Sequence, residues 1–385
     1  MQFTFQAPGN IVFGRDTARR LPELVAARGR APLVVTGADK GRHQARLEAL
    51  RQAGLDVTVQ AVAGEPSVAM AVEGARLARA AGCDVVVGLG GGAALDTAKA
   101  VAALATNTGD VFDYLEVVGA GHPLAVPPLP LLAVPTTAGT GAEATANAVL
   151  SVPERRVKVS LRSPLMLPAV ALVDPLLSAS MPPAVTAATG LDALTQLLEA
   201  FVSNQANPMT DALCREGLLR AARALPAAYA DGADLAARED MALASLLGGL
   251  ALANAKLGAV HGFAAPLGGL LSAPHGRICA SLLPFVTAAN IRALRERDPG
   301  SPSLAAYAAA AALCTGQAQA SPEDGAAWLD SLCRELAAPS LATLGLTAAD
   351  IPLVVANAAR ASSMRGNPVV LTPGELTDIL TGALG

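Results

Sequence analysis

Between residues 31 and 141 short β-branched runs alternate with segments of helical spacing, and this alternation limits the possible folds more than any other feature of the chain. "APLVVTG" (31–37) is bounded by turn residues, "RHQARLEALRQAG" (42–54) has helical spacing and stops on Gly, and "LDVTVQAV" (55–62) reads as a strand. "SVAMAVEGARLARAAG" (67–82) is the next helix, "CDVVVGLGGG" (83–92) a strand running into glycines, and "AALDTAKAVAALA" (93–105) the helix that follows. "LPLLAVPTTAGTG" (129–141) repeats the strand-to-loop pattern. Strand and helix in alternation imply parallel βαβ units, with helices over both faces of the sheet. From about residue 183 the strand signal fades, and Ala- and Leu-rich helical periods fill 184–203, 208–230, 233–257, 302–314, 322–336 and 373–384. The expectation is an α/β domain over residues 1–180 and an all-α domain over 181–385, divided near "ALVDPLLSASMPP" (171–183), where Pro175, Pro182 and Pro183 break the pattern.

Composition supports a large buried core, since 52% of the 385 residues are hydrophobic. Mean hydropathy is +0.43, yet no uninterrupted apolar run reaches the ~18 residues of a membrane span. The N-terminus "MQFTFQAPGNIVFGRD" lacks a basic stretch followed by an apolar one, so no signal peptide is expected. A net charge of −4 without clustered Lys and Arg argues against a nucleic-acid partner. The basic stretch "ERRVKVSLR" (154–162) alternates with Val and Leu and reads as a solvated hairpin face. Five scattered cysteines with no CxxC pair fit reduced thiols in a cytoplasm. Cys279, close to His275, reads first as a small buried residue and second as a reactive thiol.

Gly88, Gly90, Gly91 and Gly92 stand at a strand-to-helix junction, and Gly88, Gly90 and Ala93 satisfy G-x-G-x-x-A. Such a turn lets a backbone approach a phosphate, which then meets the free N–H groups of the new helix. The alternative is a tight turn without a ligand. "PTTAGTGAEATAN" (135–147) places Thr136, Thr137 and Thr140 after a strand end, where ligands bind in open α/β sheets, or where hydroxyls cap the next helix. His43 and His122 lie in polar segments and are expected to face solvent. His261 and His275 lie in "LGAVHGFAAPLGGLLSAPHGRICASLLPFV" (257–286), where glycines and prolines make two helix ends more plausible than one helix. Imidazole nitrogens suit iron or zinc, although lone histidines in apolar stretches are also common core residues. Asp192 and Gln196 are four apart in "GLDALTQLLEAFVS" and share a helix face that also carries Glu199. Asp192 otherwise serves as an acid near a helix N-terminus.

Together "GLGGGAALDTAKA", "AVPTTAGTGAEAT", "GLDALTQLLEAFVS" and "VHGFAAPLGGLLSAPHG" resemble the iron-containing (group III) alcohol dehydrogenases over essentially the whole chain. The resemblance implies an N-terminal dinucleotide-binding domain, a helical metal and substrate domain, and a cofactor and metal in the cleft between them. It implies that Gly90, Gly91 and Gly92 hold the pyrophosphate and that Thr136, Thr137 and Thr140 line the cofactor, with Asp96 and Lys158 at matching positions in the cleft. The family metal is held by one aspartate and three histidines; Asp192, His261 and His275 match three of these, and Gln196 stands where the family usually has the third His. An amide oxygen binds a first-row metal more weakly than imidazole, so the occupancy of a divalent iron or zinc ion is open. A further family histidine, assigned to proton transfer, is Ala265 here. Where the family often has an Asp for the adenosine ribose stands Gly37, followed by Asp39, with Lys40 or Arg42 near enough to meet a 2′-phosphate and Glu65 an alternative acid. The cofactor expected is NAD, with NADP possible.

The reaction implied is NAD(P)-linked interconversion of an alcohol with an aldehyde or ketone by hydride transfer, in a cytoplasmic homodimer with no membrane or nucleic-acid partner. One alternative drops the metal: His261 or His275 acts as a general acid on an oxo acid, as in the related maleylacetate reductases, with Arg277 anchoring the carboxylate. A second is the dehydroquinate synthase and glycerol dehydrogenase branch, whose motifs fit less well. A third is a nucleotide-binding protein without catalysis.

Overall fold

The structure is a computed structural model that describes residues 2–155 and 157–385, with Lys40 described by its backbone alone. The chain forms two compact units. One comprises Gln6–Thr137 and Gly141–Ser178, the other Met1–Phe5, Ala138–Thr140 and Ala179–Gly385.

The first unit runs β1 (Ile11–Phe13), α1 (Leu21–Ala26), β2 (Pro32–Gly37), α2 (Gln44–Gln52), β3 (Thr58–Val62), α3 (Val68–Ala80), β4 (Val85–Gly90), α4 (Gly92–Thr106), β5 (Leu131–Pro135), β6 (Asn147–Val152), β7 (Val157–Arg162) and β8 (Val170–Val173). Six strands form a sheet in the order β1-β8-β5-β4-β2-β3, with every neighbouring pair parallel. Every residue of β4, β5 and β8 is buried, as expected of strands covered on both faces. From β2 the chain crosses to β3 on one side, and from β4 to β5 on the other. The order therefore reverses between β2 and β4, and their C-terminal ends form the crevice where open α/β sheets bind ligands. The basic stretch 154–162 is a hairpin arm as expected: β7 pairs antiparallel with β6, burying Val159 and Leu161. Arg156, within that stretch, lies outside the described residues.

His43 departs from expectation, since it is buried rather than solvent-facing. The predicted helix 42–54 begins instead with a tighter 3-10 turn, Lys40–His43, before α2 starts at Gln44. Three residues per turn rather than 3.6 rotate His43 off the polar face. Burial, followed by Arg46 and Arg42, holds its imidazole below the usual value.

The second unit contains α5 (Pro183–Val202), α6 (Pro208–Ala230), α7 (Leu235–Ala255), α8 (Ala259–Leu270), α9 (His275–Arg297), α10 (Pro302–Thr315), α11 (Pro322–Glu335), α12 (Ile351–Ala358) and α13 (Pro373–Leu384). The core runs through Leu194, Leu197, Phe201, Leu218, Phe263, Ile278 and Leu282. Small residues let the helices pack closely: a Cβ on Gly190 would stand 2.2 Å from Leu225, and one on Gly217 2.4 Å from Leu197. The stretch 257–286 is broken as the glycines and prolines predict, with α8 ending at Leu270 and α9 opening on His275 after Pro274. No single described helix is long and apolar enough to cross a membrane.

Candidate functional site

At the switch point of the sheet β2 ends on Gly37 and β4 on Gly90. A Cβ on Gly90 would lie 2.7 Å from that of Ala94 and 3.4 Å from the Gly37 nitrogen, so this glycine is required where α4 folds back on its own strand. A Cβ on Gly37, by contrast, would meet nothing within 4 Å, which leaves open space above the end of β2. Gly91 is the N-cap of α4 and has no side chain to bond the first amides, and Gly92 begins the helix. These N–H groups and the positive end of the helix dipole suit an anion. Thr136 and Thr137 follow β5, and a Cβ on Gly91 would press to 3.2 Å from the Thr137 methyl. Thr140 falls in the short segment grouped with the helical unit, next to Gly139, which packs on Thr189 of α5.

The remaining residues expected at the dinucleotide have structural partners. Asp39 accepts the Gly41 N–H at 3.0 Å and caps its turn. Asp96 accepts the Val149 N–H at 3.1 Å and lies 3.4 Å from Lys99, whose buried ammonium donates to Thr145 Oγ1 at 2.7 Å and to the Asn147 carbonyl at 2.8 Å. Asp96 therefore ties α4 to β6. Lys158 of β7 pairs with Glu65 at 3.0 Å, which joins a residue matched to the cleft with the alternative ribose acid. The side chain of Lys40 lies outside the described residues.

In the helical unit Asp192 of α5, His261 of α8 and His275 of α9 come together. Asp192 Oδ1 lies 3.4 Å from His261 Nε2 and 3.7 Å from His275 Nε2. That oxygen is buried and has no hydrogen-bond partner of acceptable geometry. A carboxylate oxygen and an imidazole nitrogen bound tetrahedrally to one zinc stand about 3.3 Å apart, given metal–ligand distances of ~2.0–2.1 Å. The observed spacing suits donors that share a cation better than donors bonded to each other. Gln196 lies one turn beyond Asp192; its Oε1 is also buried and unpartnered, and it faces α7, 3.5 Å from where a Cβ on Gly248 would stand. Ala265 lies on α8, one turn after His261.

Two further residues complete the cluster. Glu199, noted in the sequence only as sharing the Asp192 face, lies 2.7 Å through Oε2 from His261 Nδ1 and accepts the Val260 N–H at 2.6 Å through Oε1. A carboxylate can only accept, so Nδ1 carries the hydrogen and Nε2 is the nitrogen turned towards Asp192. Glu199 also satisfies an amide at the start of α8 that no side chain of the helix's own N-cap, Gly258, could reach. Cys279 lies one turn after His275 on α9, with Sγ 3.6 Å from His275 Nε2 and 4.0 Å from His261 Nε2. The donor atoms of Asp192, His261, His275 and Cys279 all lie within 4.8 Å of one another. The four-residue spacing of His275 and Cys279 was the sequence signal for this contact.

Electrostatics favour a cation at this point. Burial works to lower the His261 imidazole, but Cys279, Asp192 and Glu199 outweigh it and hold it well above its usual value. His275 is also raised, by Cys279 and Asp192 against burial and the neighbouring His261. Burial works to raise the Asp192 carboxyl, yet His275 and His261 hold it below the usual range. The cluster thus carries negative charge that either protons on the imidazoles or a metal ion can balance. A third of the His275 side chain is exposed, against 7% for His261, so the cluster is approached from the His275 side.

Residues 8–175 match the family model described as iron-containing alcohol dehydrogenase, and residues 186–384 match that of the Fe-containing alcohol dehydrogenase family, C-terminal. The chain is 38% identical over 345 residues to alcohol dehydrogenase 4 of Saccharomyces cerevisiae (strain YJM789), covering 89% of this chain and 86% of that protein. It is 34% identical over 390 residues to the NAD-dependent methanol dehydrogenase of Bacillus methanolicus, covering 99% of each. Its fold superposes on the crystal structure of a 1,3-propanediol oxidoreductase with a TM-score of 0.90 at 35% identity, covering 100% of both chains.

Proposed function

This chain belongs to the iron-containing alcohol dehydrogenases, and from that membership we propose the roles of its residues in interconverting an alcohol and its carbonyl partner by hydride transfer with NAD. The single observation that carries the site assignment is the buried, unpartnered Asp192 Oδ1 facing the Nε2 atoms of His261 and His275. Those three residues hold a divalent iron or zinc ion, with Gln196 one turn along α5 a weaker oxygen donor whose Oε1 would have to turn from α7 to reach it. When bound, such an ion polarises the substrate oxygen and stabilises the alkoxide-like charge that develops on it.

The rest is the work of the chain's own groups. Glu199 fixes the tautomer and orientation of His261 through its Nδ1. The exposed edge of His275 leaves the alcohol a way in. Ala265 has no group to take the hydroxyl proton, which therefore leaves by water, substrate or another side chain. At the dinucleotide, the α4 amides from Gly91 and Gly92 receive the pyrophosphate, with Gly90 holding the turn tight. Thr136, Thr137 and Thr140 line the cofactor. The open space above Gly37 takes the adenosine ribose beside Asp39, and Asp96 and Lys158 position the walls through Val149 and Glu65. The relatives' named activities are on alcohols and diols, which favours this reading over an oxo acid reductase. A cytoplasmic homodimer accompanies the reading, and sedimentation of the purified chain tests the dimer.

The deciding experiment strips the protein with a chelator, reloads it with Fe²⁺ or Zn²⁺, and follows reduced nicotinamide with short alcohols and diols, using NAD and NADP in turn. Reloaded enzyme should turn over and stripped enzyme should not. Asp192→Asn should lose metal and roughly 10²–10³-fold of kcat/KM. Full activity in the stripped protein would remove the metal from the reaction.

A further inference from the structure

The geometry points to Cys279 as a metal ligand in this chain, so that Asp192, His261, His275 and Cys279 form a four-donor site selective for zinc. This inference rests on the metal reading above and deepens it; with four protein donors, the substrate oxygen would enter as a fifth ligand.

Three observations support it. The first is distance. For zinc bound to sulfur at ~2.3 Å and to imidazole nitrogen at ~2.05 Å, tetrahedral geometry separates sulfur from nitrogen by about 3.6 Å. Cys279 Sγ lies 3.6 Å from His275 Nε2 and 4.0 Å from His261 Nε2, while the oxygen-to-nitrogen edges are 3.4 and 3.7 Å. These four edges match one coordination tetrahedron to within a few tenths of an ångström, and the other two are no longer than 4.8 Å. The second is placement. His275 and Cys279 occupy successive turns of α9 and share a face, Cys279 is fully buried, and its sulfur is turned to two imidazoles and a carboxylate.

The third is charge. Asp192 and a Cys279 thiolate carry two negative charges between them, and two neutral imidazoles add none. A divalent ion balances those two charges within the donor set itself. A thiolate is also a softer donor than imidazole or an amide oxygen. Mixed sulfur and nitrogen ligands in tetrahedral array favour zinc among the common divalent ions. Cys279 thus supplies the fourth strong donor that Gln196, with its neutral amide and its Oε1 turned to α7, does not.

The test uses full-length protein stripped and reloaded with Zn²⁺ alone, and with Co²⁺ alone as a spectroscopic substitute. X-ray absorption at the zinc edge should show one sulfur at ~2.3 Å beside nitrogen or oxygen donors at ~2.0–2.1 Å. The cobalt form should show a sulfur-to-metal charge-transfer band that Cys279→Ser lacks. In competition with a chromophoric chelator, Cys279→Ser should bind zinc at least tenfold more weakly, and wild type should prefer Zn²⁺ to Fe²⁺. The absorption spectrum of the unmutated protein decides the matter even if the variant folds poorly. Stoichiometric zinc with only nitrogen and oxygen neighbours overturns the Cys279 assignment and leaves the metal reading intact. Tighter binding of Fe²⁺ overturns the selectivity. Failure to bind either ion overturns the metal reading itself.

Discussion

At the scale of single residues, the site depends on groups whose partners are few and identifiable. Glu199 bridges His261 Nδ1 and the Val260 amide, so it would act on the proposed metal only through another side chain. Glu199→Gln should weaken zinc binding by about 10–100-fold, measured by chelator competition, and lower kcat/KM in step. Unchanged zinc affinity would show that the imidazole holds its orientation unaided. Glu143, buried in the turn Ala142–Ala144, is a separate residue-scale case. Burial pushes its carboxyl from 4.5 up to about 7, against its own backbone hydrogen bond and the Lys99 ammonium. A raised value means the folded chain prefers the protonated acid. The stability this provides is complete below 4.5 and is lost as pH rises through about 7. Glu143→Gln, neutral throughout, should therefore gain on the wild type by roughly 1–3 kcal/mol between about pH 5 and pH 8, read from urea unfolding. A constant offset at both values would mean that Glu143 does not titrate in this range. Asp192, His261 and His275 were legible in the sequence through their motifs. Cys279 was not assigned to the metal, because a buried cysteine is ordinarily a small apolar residue.

At the scale of elements, close helix contacts bring the donors into reach. Gly276 follows His275 at the start of α9, and a Cβ there would stand 2.4 Å from the carbonyl oxygen of Ala188, one turn before Asp192 on α5. A backbone oxygen cannot rotate away as a side chain can. Gly276→Ala should therefore move the start of α9 off α5, cost about 1–3 kcal/mol of stability, and weaken zinc binding at least tenfold. Chelator competition and thermal melts measure the two effects; wild-type affinity would mean that the contact relaxes without moving His275. Helix and strand existence was largely readable from periodicity: 208–230 and 373–384 were placed to the residue, because Asn207 and Thr372 are strong caps followed by proline. Short elements escaped, and so did the extent of α9, His275–Arg297. β1 and β8 have three and four residues, too few to show a period, and they form only by pairing with each other and, for β8, with β5. His43 was misjudged for a related reason, since a 3-10 turn shifts the face that a helical period predicts.

At the scale of the whole molecule, the four proposed donors come from α5, α8 and α9 of the helical unit alone, while the glycine turn belongs to the α/β unit. Zinc at a thousand times its dissociation constant should stabilise by about 4 kcal/mol. In hydrogen exchange, that protection should centre on α5, α8 and α9 rather than on the sheet, and equal slowing of β2, β4 and β5 would contradict the assignment. The sequence by itself determined the order of elements, the glycine turn at the end of β4 and the acid and imidazoles available for a metal, because each follows from spacing and local backbone chemistry. Only the tertiary structure decided which donors meet: Glu199 and His261 are 62 residues apart and His261 and Cys279 are 18 apart, and the approach of α5, α8 and α9, with Gly276 packed against the Ala188 carbonyl, brings them close together.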